Sequence, residues 1–353
     1  MRTILVTGGA GYIGSHTCLS LLENNLKVIV FDNLKNSSHL FFQRIKEILI
    51  KKNLNKDLIS NFNFIRGDIR DIKALEKVFS ECEKESNPIQ AVIHFAGLKS
   101  VKESMEIPLS YWDNNLVGSI NLFKVMTEYE CNKIIFSSSA TVYSFKNNEL
   151  LKETDNLNPI NPYGNTKFSI ERVLRDLFIQ SPLKWHICNL RYFNPIGAHS
   201  TGLIGENPLG KPNNIFPLIL KVASKKMDKL QIFGNDWNTR DGTCIRDFIH
   251  VVDVAFGHYL ALNYLFDNKA QYISLNLGTG IGTSILELID IFEKVNQVEI
   301  PYVFSGRREG DQAFLVADNS LLKKTLNWEP KKNISEICKD GWNWQKLNPN
   351  GFN

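Results

Sequence analysis

The first half of the chain alternates short, continuously apolar runs with longer stretches in which apolar and polar positions recur with a helical period. The run at residues 91–95 is typical of a strand covered on both faces, and the spacing at 72–82 favours an amphipathic helix. The same criteria predict further strands at 4–6, 27–31, 62–66, 133–136 and 185–190, and helices at 39–52, 108–130 and 163–179.

This alternation, with a glycine turn after the first strand, predicts an α/β fold. We expect a Rossmann-type doubly wound parallel sheet with a smaller mixed α/β substrate lobe. Ligands bind to such a sheet at the carboxyl ends of its strands. Small and polar residues follow several of the predicted strands and would meet at that edge: Gly8 to Gly14, Asp32, Asp68, Ala96-Gly97 and Ser139.

The pattern becomes looser beyond Asn194. Glycine, proline and asparagine are frequent in 195–214, as in loops, and helices are predicted at 215–226 and 251–265, with a strand at 274–277. We therefore expect a nucleotide-binding domain at 1–194 and mainly a substrate-binding lobe at 195–353, with later elements at about 234–265 returning to the first domain.

Glycines recur every third residue after the first predicted strand, at Gly8, Gly11 and Gly14. Glycine lets a backbone approach a pyrophosphate closely, and the N-terminus of the following helix supplies N–H donors. The spacing GxxGxxG differs from the GxGxxG fingerprint, so by itself it also fits an ordinary turn. Asp32, at the end of the second predicted strand, can bind adenosine ribose hydroxyls and repel a 2′-phosphate, which favours NAD over NADP. The alternative for Asp32 is a cap of the turn that follows it.

Tyr163 and Lys167 are four residues apart and share one face of a predicted helix. A free tyrosine has a pKa of about 10, but a nearby ammonium group lowers that pKa and makes the phenol usable as an acid or base. Exposed amphipathic helices also carry such pairs, so the spacing alone leaves a solvent-facing pair as the alternative. The segment SSSATVY at 137–143 places hydroxyl groups upstream of the pair.

Composition disfavours several classes of function. The net charge of +4 is spread along the chain, so no basic stripe indicates a nucleic-acid partner. No apolar run approaches the roughly 18 residues of a membrane span, and the first predicted strand begins too early to leave room for a signal peptide. The six cysteines lack paired spacing and the histidines lack metal-ligand spacing. We expect reduced, buried thiols in a cytoplasmic protein and no metal.

Long motifs follow one another over nearly the whole chain. They are VTGGAGYIGSHT, FDNLKNS, GDIRD, VIHFAGLKSVKES, YWDNN, SSSATVY, NPYGNTK, RYFNPIGAH, PNNIFP, FGNDWNTRDGTCIRDFIHVVD and RREGDQAFLVAD. The series resembles the extended short-chain dehydrogenase/reductase superfamily and, within it, the UDP-glucose 4-epimerase family. The resemblance implies a homodimeric, NAD-dependent epimerase that acts on UDP-hexoses through a transient 4-keto sugar. The dimer would pack helices 108–130 and 163–179 of each subunit.

The resemblance implies roles for individual residues. Tyr163 would take the proton of the sugar 4-hydroxyl, Ser139 would donate a hydrogen bond to the same oxygen, and Lys167 would lower the pKa of Tyr163 and bind the nicotinamide ribose. These cofactor positions match the family: Gly8, Gly11, Tyr12, Ile13, Gly14, Asp32, Asn33, Asp68, Ile69, Phe95, Ala96, Gly97, Lys99, Asn114, Tyr163, Lys167 and Tyr192. These match its UDP-sugar contacts: Ser139, Tyr163, Asn194, Asn214, Ile215, Phe233, Arg246, Arg308, Asp311 and Leu315.

Two positions distinguish the chain from its neighbours. Related sugar-nucleotide 4,6-dehydratases carry an acidic pair directly after the serine or threonine, whereas Ala140 and Thr141 stand here and cannot do the acid/base work of elimination. Leu315 stands where strict glucose/galactose members carry tyrosine, which predicts that UDP-N-acetylglucosamine and UDP-N-acetylgalactosamine are also epimerised. A uronate epimerase of the same superfamily stays open as an alternative. A non-catalytic NAD-binding protein is disfavoured because Tyr163, Lys167 and Ser139 occur together.

Overall fold

A seven-stranded parallel sheet forms the centre of the part of the chain that the structure, a computed structural model, describes: residues 1–52, 57–144, 146, 149–208, 210, 212, 214–308 and 310–352. The strands of the molecule are β1 Thr3–Thr7, β2 Lys27–Asp32, β3 Phe62–Arg66, β4 Ile89–His94, β5 Lys133–Ser139, β6 His186–Tyr192, β7 Asn194–Ile196, β8 Leu230–Phe233, β9 Ile245–His250, β10 Gln271–Leu277, β11 Gly282–Ser284, β12 Tyr302–Ser305 and β13 Phe314–Leu315. The order in the large sheet is β10-β6-β5-β4-β1-β2-β3. This is the order of a doubly wound sheet with one further strand at the β6 edge, so the predicted fold class is confirmed.

Helices cover both faces of this sheet, and others pack on the smaller lobe. They are α1 Tyr12–Glu23, α2 Leu40–Lys51, α3 Asp57–Ser60, α4 Ile72–Lys84, α5 Val101–Glu106, α6 Pro108–Tyr111, α7 Gly118–Glu128, α8 Pro162–Gln180, α9 Ile215–Ala223, α10 Val251–Asp267, α11 Ile285–Asn296, α12 Ser320–Leu326 and α13 Ile334–Leu347. Successive strand side chains point to opposite faces, so Ile4 and Val6 pack with α1, α2 and α10, while Leu5 packs with α4, α7 and α8. This burial on both faces explains the continuous apolar runs.

The predicted helix 108–130 is not uniform. A π-helical segment, Trp112–Val117, separates α6 from α7, and it carries the buried amides Asn114 and Asn115. A π-turn widens the helix by one residue and is frequent at functional sites. The periodicity of a sequence cannot show such a local change, because one extra residue hardly alters the apolar pattern.

The smaller lobe is built around β9. This strand pairs in parallel with β7 and β13 and in antiparallel with β11, while β8 pairs with β12 in a separate parallel ribbon. Helices α9, α11 and α13 pack on these strands around Phe216, Phe248 and Phe292. The lobe therefore has a hydrophobic core of its own.

The chain crosses between the two parts more than once. Within the segment 234–265, β9 belongs to the small lobe, whereas α10 packs on α1 beside the large sheet. The strand that completes the large sheet comes later, since β10 pairs with β6 from Gln271 to Leu277. The division at residue 194 remains a prediction.

Two findings bear on the environment of the protein. Among the described helices, none combines the length and apolar character needed to cross a bilayer. All six cysteines are buried free thiols.

Candidate active site

A long pocket lies at the carboxyl ends of the parallel strands, where β1 and β4 are neighbours and the strand order reverses. Its lining comes from the segments after β1, β2, β3 and β4, from the ends of β5 and β6, from the start of α8, and from residues 205–208. These are the lining residues: Gly8, Ala10, Gly11, Tyr12, Ile13, Gly14, Ser15, Phe31, Asp32, Asn33, Lys35, Asn36, Ser37, Gly67, Ile69, Phe95, Ala96, Gly97, Leu98, Lys99, Asn114, Ser137, Tyr163, Lys167, Tyr192, Gly205, Glu206, Asn207, Pro208 and Phe352. Of the predicted cofactor residues, Asp68 alone does not line the pocket.

The glycine turn is shaped by close backbone contacts. Gly8 has a φ of +70°, and a Cβ there would lie 2.5 Å from the backbone nitrogen of Ala96. A Cβ on Gly14 would lie 2.5 Å from the carbonyl oxygen of Gly8. Helix α1 begins at Tyr12 without a side-chain cap, so the N–H groups of its first turn are available to an anion.

Asp32 is buried at the end of β2 and faces the glycine turn. Its carboxylate accepts hydrogen bonds from the backbone N–H groups of Ala10 (3.0 Å) and Leu34 (2.8 Å) and from the Ser37 hydroxyl (3.0 Å). Burial raises the pKa of Asp32, and these hydrogen bonds act in the opposite direction. A carboxylate has about four acceptor positions, so Asp32 both caps its turn and can accept a further hydroxyl.

Asp68 has a supporting position beside the pocket. Arg70 donates to both carboxylate oxygens of Asp68, at 2.9 and 3.0 Å, and the Asn33 amide donates at 3.0 Å. The Arg70 guanidinium holds the pKa of Asp68 well below its usual range. Asp68 thus fixes Asn33, which does line the pocket.

Tyr163 and Lys167 are positioned by the start of α8. Asn161 caps this helix by accepting a hydrogen bond from the Gly164 N–H at 2.8 Å, and Pro162 occupies its first turn. A Cβ on Gly164 would lie 2.7 Å from the Thr141 carbonyl oxygen, so the helix begins directly against the turn that follows Ser139. This packing brings the α8 tyrosine to the end of β5.

The Lys167 ammonium group lies inside the protein. It donates to the Ser137 carbonyl oxygen at 2.6 Å and lies 4.9 Å from the centre of the Phe136 ring and 5.9 Å from the centre of the Tyr163 ring. Burial lowers the pKa of Lys167 to about 7. Burial also raises the pKa of Tyr163, and a side-chain hydrogen bond with Ser139 opposes this rise. The hydrogen bond with Ser139 therefore offsets part of the effect of burial, and the lowering of the Tyr163 pKa by Lys167 stays a prediction.

An amide network joins the π-helical segment to this site. Asn115 accepts from the Leu98 N–H at 2.7 Å and donates to the Leu98 carbonyl (3.0 Å) and the Thr166 hydroxyl (3.1 Å). Asn114 donates to Asn115 at 3.0 Å and lines the pocket. No role is predicted for Asn115 from the sequence, although it stands beside Asn114 in a predicted helix.

The predicted substrate residues other than Tyr163 lie outside this pocket, Ser139 beside it and the others in the small lobe. Arg246 of β9 is 3.9 Å from Asp311, and the Arg308 guanidinium lies 4.2 Å from the centre of the Phe233 ring. Asn214 precedes Ile215, the first residue of α9. The structure thus places Arg246 next to an acidic residue and Arg308 next to an aromatic ring.

Leu315 and Asn194 lie between the other predicted substrate residues of the small lobe and the end of β5. Leu315 pairs with Arg246 in the β13–β9 ladder and packs against a cluster that includes Ala140, the residue after Ser139. Ser139 pairs with Tyr192 on β6, and Asn194 begins β7 two residues later. The side-chain oxygen of Asn194 is buried without a hydrogen-bond partner among the described residues, and an unpaired buried acceptor favours a ligand that donates to it.

One part of the pocket was missed by the sequence analysis. Gly205, Glu206, Asn207 and Pro208 line it together with Phe352, and Glu206 accepts from the Lys99 ammonium group at 3.1 Å. These residues follow no periodic pattern, so the sequence alone offered no signal for them.

Comparisons with known proteins identify the family. A family model described as GDP-mannose 4,6 dehydratase matches residues 5–341. UDP-glucose 4-epimerase GEPI48 of Cyamopsis tetragonoloba is 48% identical over 351 residues, which is 99% of this chain and 97% of the relative. The chain belongs to the UDP-glucose 4-epimerase family. The family prediction is thereby confirmed.

Solved structures of UDP-glucose 4-epimerases share the whole fold. The enzyme from Stenotrophomonas maltophila, with bound NAD and formylated UDP-arabinopyranose, has a TM-score of 0.92 and 42% identity, covering 99% of both chains. The enzyme from Bifidobacterium longum, in complex with NAD+ and UDP, has a TM-score of 0.91 and 43% identity, covering 99% of this chain and 100% of its own.

The family model is named after a dehydratase, but the two residues after Ser139 lack the acid/base groups that a dehydratase needs. Ala140 is buried, and the Thr141 hydroxyl donates to the Ser139 hydroxyl oxygen at 3.0 Å. Neither side chain can carry a proton to or from a leaving hydroxyl, which fits an epimerase better than a dehydratase.

Proposed function

We propose that the protein interconverts UDP-glucose and UDP-galactose by inverting C4 of the hexose, with NAD as its cofactor. The observation that carries this proposal is that Tyr163 and Lys167 line the same pocket as the glycine turn and Asp32. An acid/base candidate and a dinucleotide cradle thus share one cavity. The names of the relatives support the substrate, and the NAD-bound structures support the cofactor.

The residues of the pocket fit a dinucleotide. Gly8 and Gly14 keep the backbone bare where a Cβ would collide, and the first turn of α1 offers N–H donors to a pyrophosphate. Asp32 would bind the adenosine ribose hydroxyls and disfavour a 2′-phosphate. When bound, NAD supplies a ring that accepts a hydride from C4 of the sugar and returns it, so that the net redox change is zero.

Tyr163 would exchange the proton of the sugar 4-hydroxyl as the transient 4-keto sugar forms and is reduced. Because burial keeps the pKa of its phenol high, it needs donors or positive charge close by. Ser139 would donate a hydrogen bond to the same sugar oxygen. Lys167, fixed by the Ser137 carbonyl, would keep its ammonium group near the Tyr163 ring and bind a ribose hydroxyl.

The small lobe would hold the UDP part of the substrate. Guanidinium groups remain charged and bind phosphate in a bidentate manner, so Arg246 and Arg308 suit a diphosphate. The unpaired oxygen of Asn194 would accept a hydrogen bond from the nucleotide sugar. Further contacts to uridine and its ribose would come from these residues of the lobe: Asn214, Ile215, Phe233 and Asp311.

Leu315 would enlarge the range of sugars. It is half-buried on β13 and packs near Ala140, so it lies beside the end of β5 that carries Ser139. A tyrosine there would fill this space, whereas leucine leaves room for a larger group on the sugar. UDP-N-acetylglucosamine and UDP-N-acetylgalactosamine are therefore included as substrates in the proposal.

The proposed assembly is a cytoplasmic homodimer. Large apolar side chains are exposed around the helices predicted to pack between subunits, among them Leu109 (82% exposed), Val117 (45%) and Ile179 (63%). Contact between two copies would remove this surface from water. Six free, buried thiols fit a reducing compartment.

Tyr163→Phe tests the catalytic assignment. Purified protein and variant are incubated with UDP-galactose, and the products are separated by chromatography. We expect the variant to lose about 100-fold to 10,000-fold in kcat, as for other general acid/base groups, and to retain bound NAD. Tyr302→Phe, on exposed β12, is the matched control and should keep full activity. Substantial epimerisation by Tyr163→Phe would contradict the role of the phenol.

A further inference from the structure

We define the C-terminal strap as Asn348–Phe352. The strap reaches the dinucleotide pocket, although the other lining residues all lie at position 208 or earlier in the sequence. Phe352 lines the pocket, and only 8% of its surface is exposed. Its ring packs at 5.0 Å from the centre of the Trp344 ring, in a cluster with Ala198 and the neighbouring Leu40. Leu40 begins α2, directly after the segment that carries Asp32 and Ser37. The strap therefore connects α13 to a wall of the pocket.

The strap is held by directional contacts. The Asn348 amide donates to the Gly202 carbonyl at 2.8 Å and to the Trp344 carbonyl at 3.0 Å, and Asn348 itself is buried. Lys226 donates to the side-chain oxygen of Asn350 at 3.0 Å. A segment kept in place by buried and charged partners has a definite position.

A tight turn directs Phe352 inward. The Gly351 N–H donates to the Asn348 carbonyl at 3.0 Å, and Gly351 has a φ of +74°, a conformation that favours glycine. A Cβ on Gly351 would lie 2.0 Å from the side-chain oxygen of Asn207. Asn207 is itself a lining residue, so this turn presses the strap against the pocket wall.

The strap and residues 205–208 form one surface. Trp344 donates from its indole nitrogen to the Glu206 carbonyl at 3.2 Å, and a Cβ on Gly205 would lie 2.5 Å from the indole ring. The Glu206 side chain, 9% exposed, then meets Lys99 across the pocket at 3.1 Å. The strap and residues 205–208 thus complete the pocket on a side that the sheet leaves open.

We infer that the C-terminal strap is part of the cofactor site, with Phe352 as an apolar wall that slows release of the bound dinucleotide. The inference rests on the proposed function, which places NAD in this pocket. An aromatic wall excludes water from the neighbouring polar contacts and must move aside before the cofactor leaves. The strap thereby accounts for retention of the cofactor between turnovers, whereas the glycine turn and Asp32 account for its recognition.

The test measures cofactor release from full-length protein. Protein loaded with NAD is transferred into excess of a spectroscopically distinct dinucleotide, and release is followed by rapid desalting and absorbance of the freed nucleotide. We expect Phe352→Ala to release NAD at least about tenfold faster than the parent, and Phe352→Leu to stay near the parental rate because an apolar wall remains. Phe304→Ala, on exposed β12, is the matched control and should not change release.

Gly351→Ala provides a second, independent variant. A side chain is strained at the Gly351 φ of +74°, and the added methyl group also meets the Asn207 side chain, so we expect the strap to shift and release to be faster again without a change at Phe352. Parental release rates in folded Phe352→Ala or Gly351→Ala, with only the thermal unfolding temperature lowered, would reduce the strap to a structural role and overturn the inference. If the parent protein itself holds no NAD, the proposed function fails instead, which keeps the two failures distinguishable.

Discussion

The proposed cofactor region and the proposed substrate region of this molecule are built in different ways. Most of the cofactor region consists of residues that directly follow successive strands of one sheet, so the topology places them together. The substrate region gathers Asn194, Arg246, Arg308 and Leu315 from separate small strands and loops. Its geometry depends on how the lobe packs against the end of β5.

This difference determines how freely the residues of each region can be replaced. Backbone contacts such as that between Gly8 and Ala96 leave the cofactor region almost no freedom to change. Side chains on the short strand β13 face the end of β5 without such constraints. We therefore expect recognition of the cofactor to be rigid, and we propose that the choice of sugar changes through one side chain such as Leu315.

The largest expected effect on cofactor binding comes from adding one methyl group to the glycine turn. Gly8→Ala must place a Cβ 2.5 Å from the Ala96 backbone at a φ of +70°, and backbone cannot move aside cheaply. We expect NAD affinity to fall by about 100-fold or more, which corresponds to roughly 3 kcal/mol, measured by titration of the nucleotide. Gly306→Ala, where the Cβ would meet nothing within 4 Å, should bind NAD normally. Normal binding by Gly8→Ala would show that the turn can open.

The buried Lys167 should make stability depend on pH. Burial lowers its pKa from 10.5 to about 7, so between about pH 7 and 10.5 the unfolded chain binds more protons than the folded protein. The contribution of Lys167 to stability therefore rises with pH through this window, by a few kcal/mol. Urea unfolding of the parent and of Lys167→Met should show a difference in stability between the two proteins that changes with pH over this window, in the direction that favours the parent as pH rises.

A surface lysine provides the comparison for that measurement. Lys184 is exposed, and Lys184→Met should leave the pH profile of unfolding unchanged relative to the parent. Parallel profiles of the parent and Lys167→Met over the same window would show that Lys167 is not buried with a shifted pKa.

The substrate region should respond through binding. Arg246 contacts the backbone carbonyl of Gln312 at 2.7 Å and lies near Asp311, so it is held in position for a phosphate. We expect Arg246→Met to raise KM for UDP-galactose by about 30-fold, roughly 2 kcal/mol, with a smaller change in kcat. Arg240→Met removes a surface ion pair with Glu287 and should leave KM unchanged. An effect confined to kcat would place Arg246 at the chemical step instead.

The smallest expected effect concerns the choice of sugar. Leu315→Tyr should lower kcat/KM for UDP-N-acetylglucosamine by at least about tenfold relative to UDP-glucose, because the ring fills space beside Ala140. Leu321→Tyr, at an exposed position, should keep the parental ratio. Negligible turnover of the N-acetyl sugar by the parent protein would refute the extended substrate range.

The cofactor region was largely predictable, and the reasons are physical. Gly8, Gly11, Gly14 and Asp32 follow predicted strands at fixed distances, and strand ends in a parallel sheet meet at one edge. Asp68 illustrates the limit: it follows β3 as predicted, but it does not line the pocket, and Arg70 and Asn33 occupy its carboxylate. Phe352 and residues 205–208 were missed because they reach the pocket through tertiary packing alone.

By itself, the sequence determined the alternation of strands and helices, the glycine turn and the pairing of Tyr163 with Lys167 on one helix face, since each depends on short-range periodicity. Only the tertiary structure decided the charge state and surroundings of those groups. Burial moves the pKa of Lys167 to about 7, and a hydrogen bond with Ser139 counters the rise of the Tyr163 pKa that burial causes. Such effects depend on which distant segments exclude water, and no local pattern in a sequence records that.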